Sequence, residues 1–212
     1  MIKNIIFDFG GVLLDLDPVR CKQQFAAIGY TQIYDELGTA HHNGVLGRME
    51  DGGVTARELC DAIRDGVRHS NPDMPMPTDR QVIAAFCSMA DGIPSYRLDF
   101  VNELREEGYR VDALSNTNPI HWGFCMRYFI ECGYVPSELF GHIWLSCDMH
   151  MSKPDPEIFR AVLRESGYEP DETVFVDDNE TNCRVAQSLG IHTYCPPVRT
   201  DWREEFRTFL LT

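Results

Sequence analysis

Ile5-Ile6-Phe7-Asp8-Phe9-Gly10-Gly11-Val12 decides how the chain folds. An apolar run of strand-formers that meets one carboxylate and then two glycines reads as a buried strand. It carries Asp8 at its C-terminal end and is followed by a sharp turn. In an open parallel sheet the ligand crevice lies beyond the carboxyl ends of the strands, and glycine lets the backbone approach a ligand or metal closely. A surface turn after a core strand would give the same eight letters, so the rest of the chain has to decide.

Beyond this turn, Asp17 and Pro18 form an N-cap and N1 pair for a helix over 17–28. Only helical patterns follow, over 33–40, over 56–67 with Thr55 as N-cap, and over 79–89 with Thr78 before it, broken by the proline-rich link 71–77. From Ser95 the strand and helix alternation resumes. Strands are expected at 110–114, 142–146, 173–176 and 191–194, with helices between them. Units of this length favour an α/β doubly wound parallel sheet with right-handed crossovers. The expected organisation is a core domain of 1–16 and 93–212 with a helical cap inserted at 17–92.

The totals set limits. The 212 residues can bury a sizeable core, and 43% hydrophobic with 25% charged residues is ordinary for a soluble globular protein. A formal charge of −14 argues against a nucleic-acid partner, whose phosphates demand clustered Lys and Arg. It leaves open a small phosphorylated substrate, because a bound divalent cation supplies local positive charge. The eight cysteines are scattered without a framework and read as reduced thiols. No stretch has the length of a membrane span, and a cytoplasmic location is expected.

The expected strand ends deliver Asp8, Ser115 with Asn116, Lys153 after the next strand, and Asp177 with Asp178. Taken singly, Ser115 and Asn116 read as a helix cap, Lys153 as a solvated charge and the aspartate pair as another cap. Together they bring three carboxylates, a cation and short polar donors to one sheet edge. That set suits a divalent metal and a phosphate.

Phe7-Asp8-Phe9-Gly10-Gly11-Val12, Leu114-Ser115-Asn116-Thr117-Asn118, Ser152-Lys153-Pro154-Asp155-Pro156 and Phe175-Val176-Asp177-Asp178-Asn179 occur in this order, each at the end of an expected strand or just after one. With these four motifs the chain resembles the haloacid dehalogenase (HAD) superfamily over nearly its whole length. Within it, the chain is most similar to cap-bearing bacterial sugar-phosphate phosphatases of the α-glucose-1-phosphate phosphatase type. The resemblance implies a Rossmann-like core and a magnesium-dependent hydrolase of phosphoric monoesters. Asp8 would attack phosphorus to form an aspartyl-phosphate, and Lys153 would neutralise charge. Ser115 and the Asn116 amide would bind the phosphoryl oxygens. Mg2+ would be held by Asp8, the Gly10 carbonyl and Asp178, with Asp177 either a further ligand or the group that orients Lys153.

One departure matters. The family's phosphatases usually carry a second aspartate two residues after the nucleophile, as the acid that protonates the leaving group. Here that place holds Gly10, and such help is typically worth ~10² to 10⁴ in rate. Either turnover is slow, or a cap histidine such as His41 or His42 stands in, although a histidine in a helical insertion is more often a surface or packing residue. Specificity is expected in the cap around the glycine-rich turn 46–53, with Arg48 facing either the substrate or solvent. The alternatives are a 2-haloacid dehalogenase, which has no use for adjacent Asp177 and Asp178, and a weakly catalytic binding protein of the same fold.

Overall fold

The computed structural model describes residues 1–37 and 44–211. In chain order the elements begin with strand β1 (Asn4–Phe7), the two-residue β2 (Asp15–Leu16) and five helices. These are α1 (Pro18–Ala27), α2 (Ile33–Glu36), α3 (Gly44–Glu50), α4 (Ala56–Ser70) and α5 (Asp79–Cys87). Strand β3 (Ala90–Gly92) then returns the chain to α6 (Ser95–Glu106), β4 (Arg110–Ser115), α7 (Pro119–Glu131), α8 (Pro136–Leu139), β5 (Ile143–Leu145) and α9 (Ser146–Met149). The last elements are α10 (Pro156–Ser166), β6 (Thr173–Val176), α11 (Glu180–Ser188), β7 (His192–Tyr194) and α12 (Arg203–Leu210).

The main sheet is parallel with the order β5-β4-β1-β6-β7. Strand β1 is central, and the chain leaves it for β4 on one side and later β6 on the other. That reversal opens a crevice at the C-terminal ends of β1, β4 and β6. Strand period sorts the core into two layers. Ile5, Phe7, Val111, Ala113, Val174 and Val176 pack with α6, α7 and α12 on one face. Ile6, Leu114 and Phe175 pack with α10 and α11 on the other. This is the doubly wound parallel sheet expected from the alternation.

Helices α1, α3, α4 and α5 enclose an apolar cluster of their own, which includes Phe25, Leu46, Leu59, Ile63, Val67 and Phe86. Asp17 caps α1 by accepting from Arg20 N at 2.8 Å, and Thr55 and Thr78 complete capping boxes with Glu58 and Gln81. The two strands joining this layer to the sheet form a short antiparallel ribbon, β2 with β3, continued by Asp17 N donating to Met89 O at 2.7 Å. Buried Arg97 braces it, donating to Asp15 Oδ1 at 2.9 Å and Leu13 O at 3.3 Å.

Three features differ from the sequence expectations. Residues 44–50 form a helix rather than a glycine-rich turn. Val45, Leu46 and Met49 share one buried face, and that burial outweighs the helix penalty of Gly47 of about 1 kcal/mol. Helix α12 follows the last strand, with Trp202 and Phe206 at helical spacing against Phe7 and Phe100. The strand expected to end at Ser146 stops at Leu145, where the chain turns into α9. Among the described residues no helix is long and apolar enough to cross a membrane.

Candidate active site

Asp8 follows β1 directly, and its amide donates to Val176 O at 2.7 Å, continuing the pairing of β1 with β6. Its Oδ1 accepts from Phe9 N at 2.7 Å and faces Lys153 Nζ at 2.8 Å. Among the described residues Oδ2 accepts no hydrogen bond. Lys153 is 1% exposed, and its ammonium also meets Asp177 Oδ2 at 2.7 Å and Leu114 O at 3.1 Å, over the Phe175 ring. Asn116 fixes the loop that supplies this lysine. Its amide group accepts from Lys153 N at 2.9 Å and donates to Lys153 O at 2.8 Å.

The adjacent aspartates differ in what they can still bind. Asp177 is fully buried, and Asn179 N, both contacts of Asn182 Nδ2 and Lys153 Nζ fill both of its oxygens at 2.7–3.2 Å. Asp178 is half-buried and rests against Gly11: a β-carbon built there would lie 2.5–2.6 Å from all three carboxyl atoms. Ligand atoms of Asp8, Asp177 and Asp178 all fall within 4.8 Å of one another. Three carboxylates against one ammonium leave two uncompensated negative charges. Burial, and then the Asp177 charge, push the Asp178 carboxyl up to about 6. The Asp8 carboxyl is pushed well up, by burial first, with Lys153 opposing and Asp177 and Asp178 adding. Burial works against the Lys153 ammonium, but Asp177 and Asp8 outweigh it and hold its pKa at about 12. A divalent cation would relieve this imbalance, so the donor set fits one.

Gly11 has φ of +83°, a conformation open to glycine at little cost. Gly11→Ala is therefore expected to displace Asp178, lower stability by about 1–3 kcal/mol and weaken magnesium binding. Thermal melts and a calorimetric magnesium titration check this. Parent-like values in both would refute the close packing of Gly11 on Asp178.

A cleft of about 190 Å³ opens between the helical layer and the sheet edge. Gly10, Ser115, Asn116 and Thr117 line it from below, and Leu16, Pro18 and Met89 from the helical layer. Arg48 is exposed and lies outside this lining; Glu50, two residues on, lines the cleft instead. His41 and His42 lie outside the described residues. His121 also lines the cleft, stacked on Phe86 with ring centroids 4.0 Å apart and with Nε2 2.9 Å from Phe86 O. Glu50 falls within the stretch 46–53 named from the sequence, where Arg48 was singled out instead, and His121 was missed. His121 had a findable signal, being the third residue of the helix capped by Asn118, right after the strand that ends in Ser115.

These groups meet at the C-terminal edge of a doubly wound sheet, beside the helical layer of α1, α3, α4 and α5. The chain belongs to the haloacid dehalogenase-like hydrolases, which it matches over residues 2–190. It is 33% identical over 212 residues to a D-ribitol-5-phosphate phosphatase of Bacteroides thetaiotaomicron, covering 99% of each chain. Among solved structures it resembles an aspartate-to-alanine variant of a HAD family enzyme from the same organism, in complex with magnesium and inorganic phosphate. There the TM-score is 0.90 with 41% identity, over 98% of this chain and 100% of that one. A HAD-like family hydrolase from Porphyromonas gingivalis matches with TM-score 0.87 and 32% identity, over 100% and 99% of the two chains.

Proposed function

We propose that this protein is a magnesium-dependent phosphatase of a small sugar or polyol phosphate, working through an aspartyl-phosphate on Asp8. The observation that carries this reading is the ammonium of Lys153 held between Asp8 and Asp177, with Asp178 alongside. The relatives support it, one named as a phosphatase of a polyol phosphate and one solved with magnesium and phosphate.

In this mechanism Phe9 N and Lys153 hold Oδ1 of Asp8, leaving Oδ2 to attack phosphorus in line with the departing oxygen. Ser115 and the main-chain N–H of Asn116 bind the transferring oxygens, and Lys153 offsets their charge. Asp177, with its oxygens occupied, orients Lys153. Asp8, the Gly10 carbonyl and Asp178 would hold Mg2+, which when bound neutralises and positions the phosphoryl group. Water then attacks the aspartyl-phosphate and frees Asp8. Gly10 offers no proton to the leaving group, so the departing oxygen takes its proton from water. A dehalogenase would leave the three converging carboxylates without a cation to serve.

The test is phosphate release from p-nitrophenyl phosphate and ribitol 5-phosphate with and without magnesium, together with magnesium titration of Asp178→Asn and Asp177→Asn. Release should require magnesium. Asp178→Asn should weaken magnesium binding at least ~10-fold, and Asp177→Asn should lower turnover with less effect on affinity. Because the Asp178 carboxyl binds a proton below about 6, parent affinity should fall as pH drops through that value. Metal-independent release, or none from any ester, would reject the proposal.

A further inference from the structure

Leu16, Pro18, Met89 and Ala90 line the cleft, and all four lie on or beside the β2–β3 ribbon that joins the helical layer to the sheet. Leu16 packs over Gly10: the nearest atoms to a β-carbon built on Gly10 belong to Leu16, with Cδ1 at 3.2 Å. The ribbon is too short to hold itself, since β2 has two residues and β3 three, and its register shifts between Asp15 and Leu16. Side chains hold it instead. Arg20, on α1, donates to Ser88 O at 2.8 Å and Ala90 O at 3.0 Å and meets Asp91 Oδ1 at 2.7 Å. Arg199, on the loop after β7, donates to Leu16 O at 2.7 Å and meets Asp91 Oδ2 at 2.8 Å. One carboxylate therefore joins a cation of the helical layer to a cation beside the sheet, and each cation also holds a carbonyl of the ribbon. Arg199 has φ of +58°, a left-handed conformation that a residue other than glycine keeps where its surroundings impose it. Its hydrogen bond, and next that of Arg20, hold the Asp91 carboxyl below its usual range.

From this arrangement we propose that Arg199 and Asp91 are positioning residues for the leaving group: they latch the ribbon to the sheet and so fix Leu16 and Ala90 as the wall on which the leaving group packs. The latch is open to solvent, where single ion pairs add little stability. Its effect is on position, because a wall displaced by a fraction of an ångström loses contact with the part of the substrate that it touches. The phosphoryl group, bound at Ser115 and Asn116, does not depend on that wall. This inference rests on the phosphatase reading above and adds the residues that shape its leaving-group side.

The test measures hydrolysis of p-nitrophenyl phosphate, inhibition by inorganic phosphate and magnesium affinity in the parent, Arg199→Gly, Asp91→Asn and the double variant. Glycine adopts φ of +58° at little cost, so Arg199→Gly removes the side chain without straining the loop. KM should rise about tenfold in Arg199→Gly and about fivefold in Asp91→Asn, with kcat within about threefold of the parent, the pattern of a contact made equally in ground and transition states. Phosphate inhibition and magnesium affinity should stay at parent values, which a general loosening of the fold would not allow. The double variant should match the more impaired single variant, because both residues act through one contact. Melting curves show whether each variant is folded, and Asp91→Asn, nearly the same shape, decides alone if Arg199→Gly is unstable. Parent-like KM in the folded single variants, effects that multiply in the double variant, or phosphate inhibition that weakens in step with KM overturns the latch while the phosphatase reading stands. If the parent cleaves no ester at all, both fall.

Discussion

Asp8→Asn is expected to lower phosphatase turnover by at least ~10⁴-fold while leaving the fold in place. The amide nearly matches the carboxylate in shape, but its oxygen is a poor nucleophile and a weaker partner for a cation. Lys153 keeps Asp177 at 2.7 Å and Leu114 O at 3.1 Å, so the buried ammonium is not stranded. The parent Asp8 carboxyl is pushed well up, chiefly by burial, so removing its charge should leave the metal-free protein at least as stable as the parent. Turnover with saturating magnesium and a thermal melt without it make the comparison. Activity within tenfold of the parent would end the covalent account.

Lys153→Met should damage both activity and stability. The lysine is 1% exposed and bridges two carboxylates, at 2.8 Å and 2.7 Å. Replacing it by an apolar chain leaves Asp8 and Asp177 facing each other without a cation, a change that costs about 3–5 kcal/mol in buried sites. For a chain of this size that corresponds to a fall in melting temperature of roughly 10 °C. Turnover should drop by a further ~10² to 10³ for the lost positive charge at the transferring phosphoryl group. Saturating magnesium should restore part of the stability but not the turnover. Recovery of parent activity would mean that Lys153 serves only to hold the fold.

The sheet was legible in the sequence because β1, β4, β5 and β6 are short, mostly apolar runs with polar residues at or just past their C-terminal ends. Parallel crossovers put those ends on one edge whatever the helices between them do. The line-up of Asp8, Lys153 and Asp177 follows from that topology. The division of labour between Asp177 and Asp178 does not follow, because neighbouring letters say nothing about which carboxylate turns towards Lys153. Only the hydrogen bonds from Asn179 and Asn182 separate them. The cap was harder. Gly44 and Gly47 disguise a helix whose apolar face is completed by α4, so the cleft-lining position falls on Glu50 rather than Arg48. Helix α12 depends on docking against residues far back in the chain, Phe7 and Phe100, which local pattern does not reveal.

The central claim is that Asp8 carries the phosphoryl group in the reaction. Its most direct test is acid quenching of the enzyme during turnover of p-nitrophenyl phosphate with magnesium, followed by peptide mass spectrometry. Aspartyl-phosphates survive acid long enough to be isolated. The account predicts one added phosphoryl mass on the peptide containing Asp8, lost on treatment with hydroxylamine and absent without magnesium. Steady turnover with no phosphorylated Asp8 peptide at any quench time, or the adduct on another residue, would contradict it.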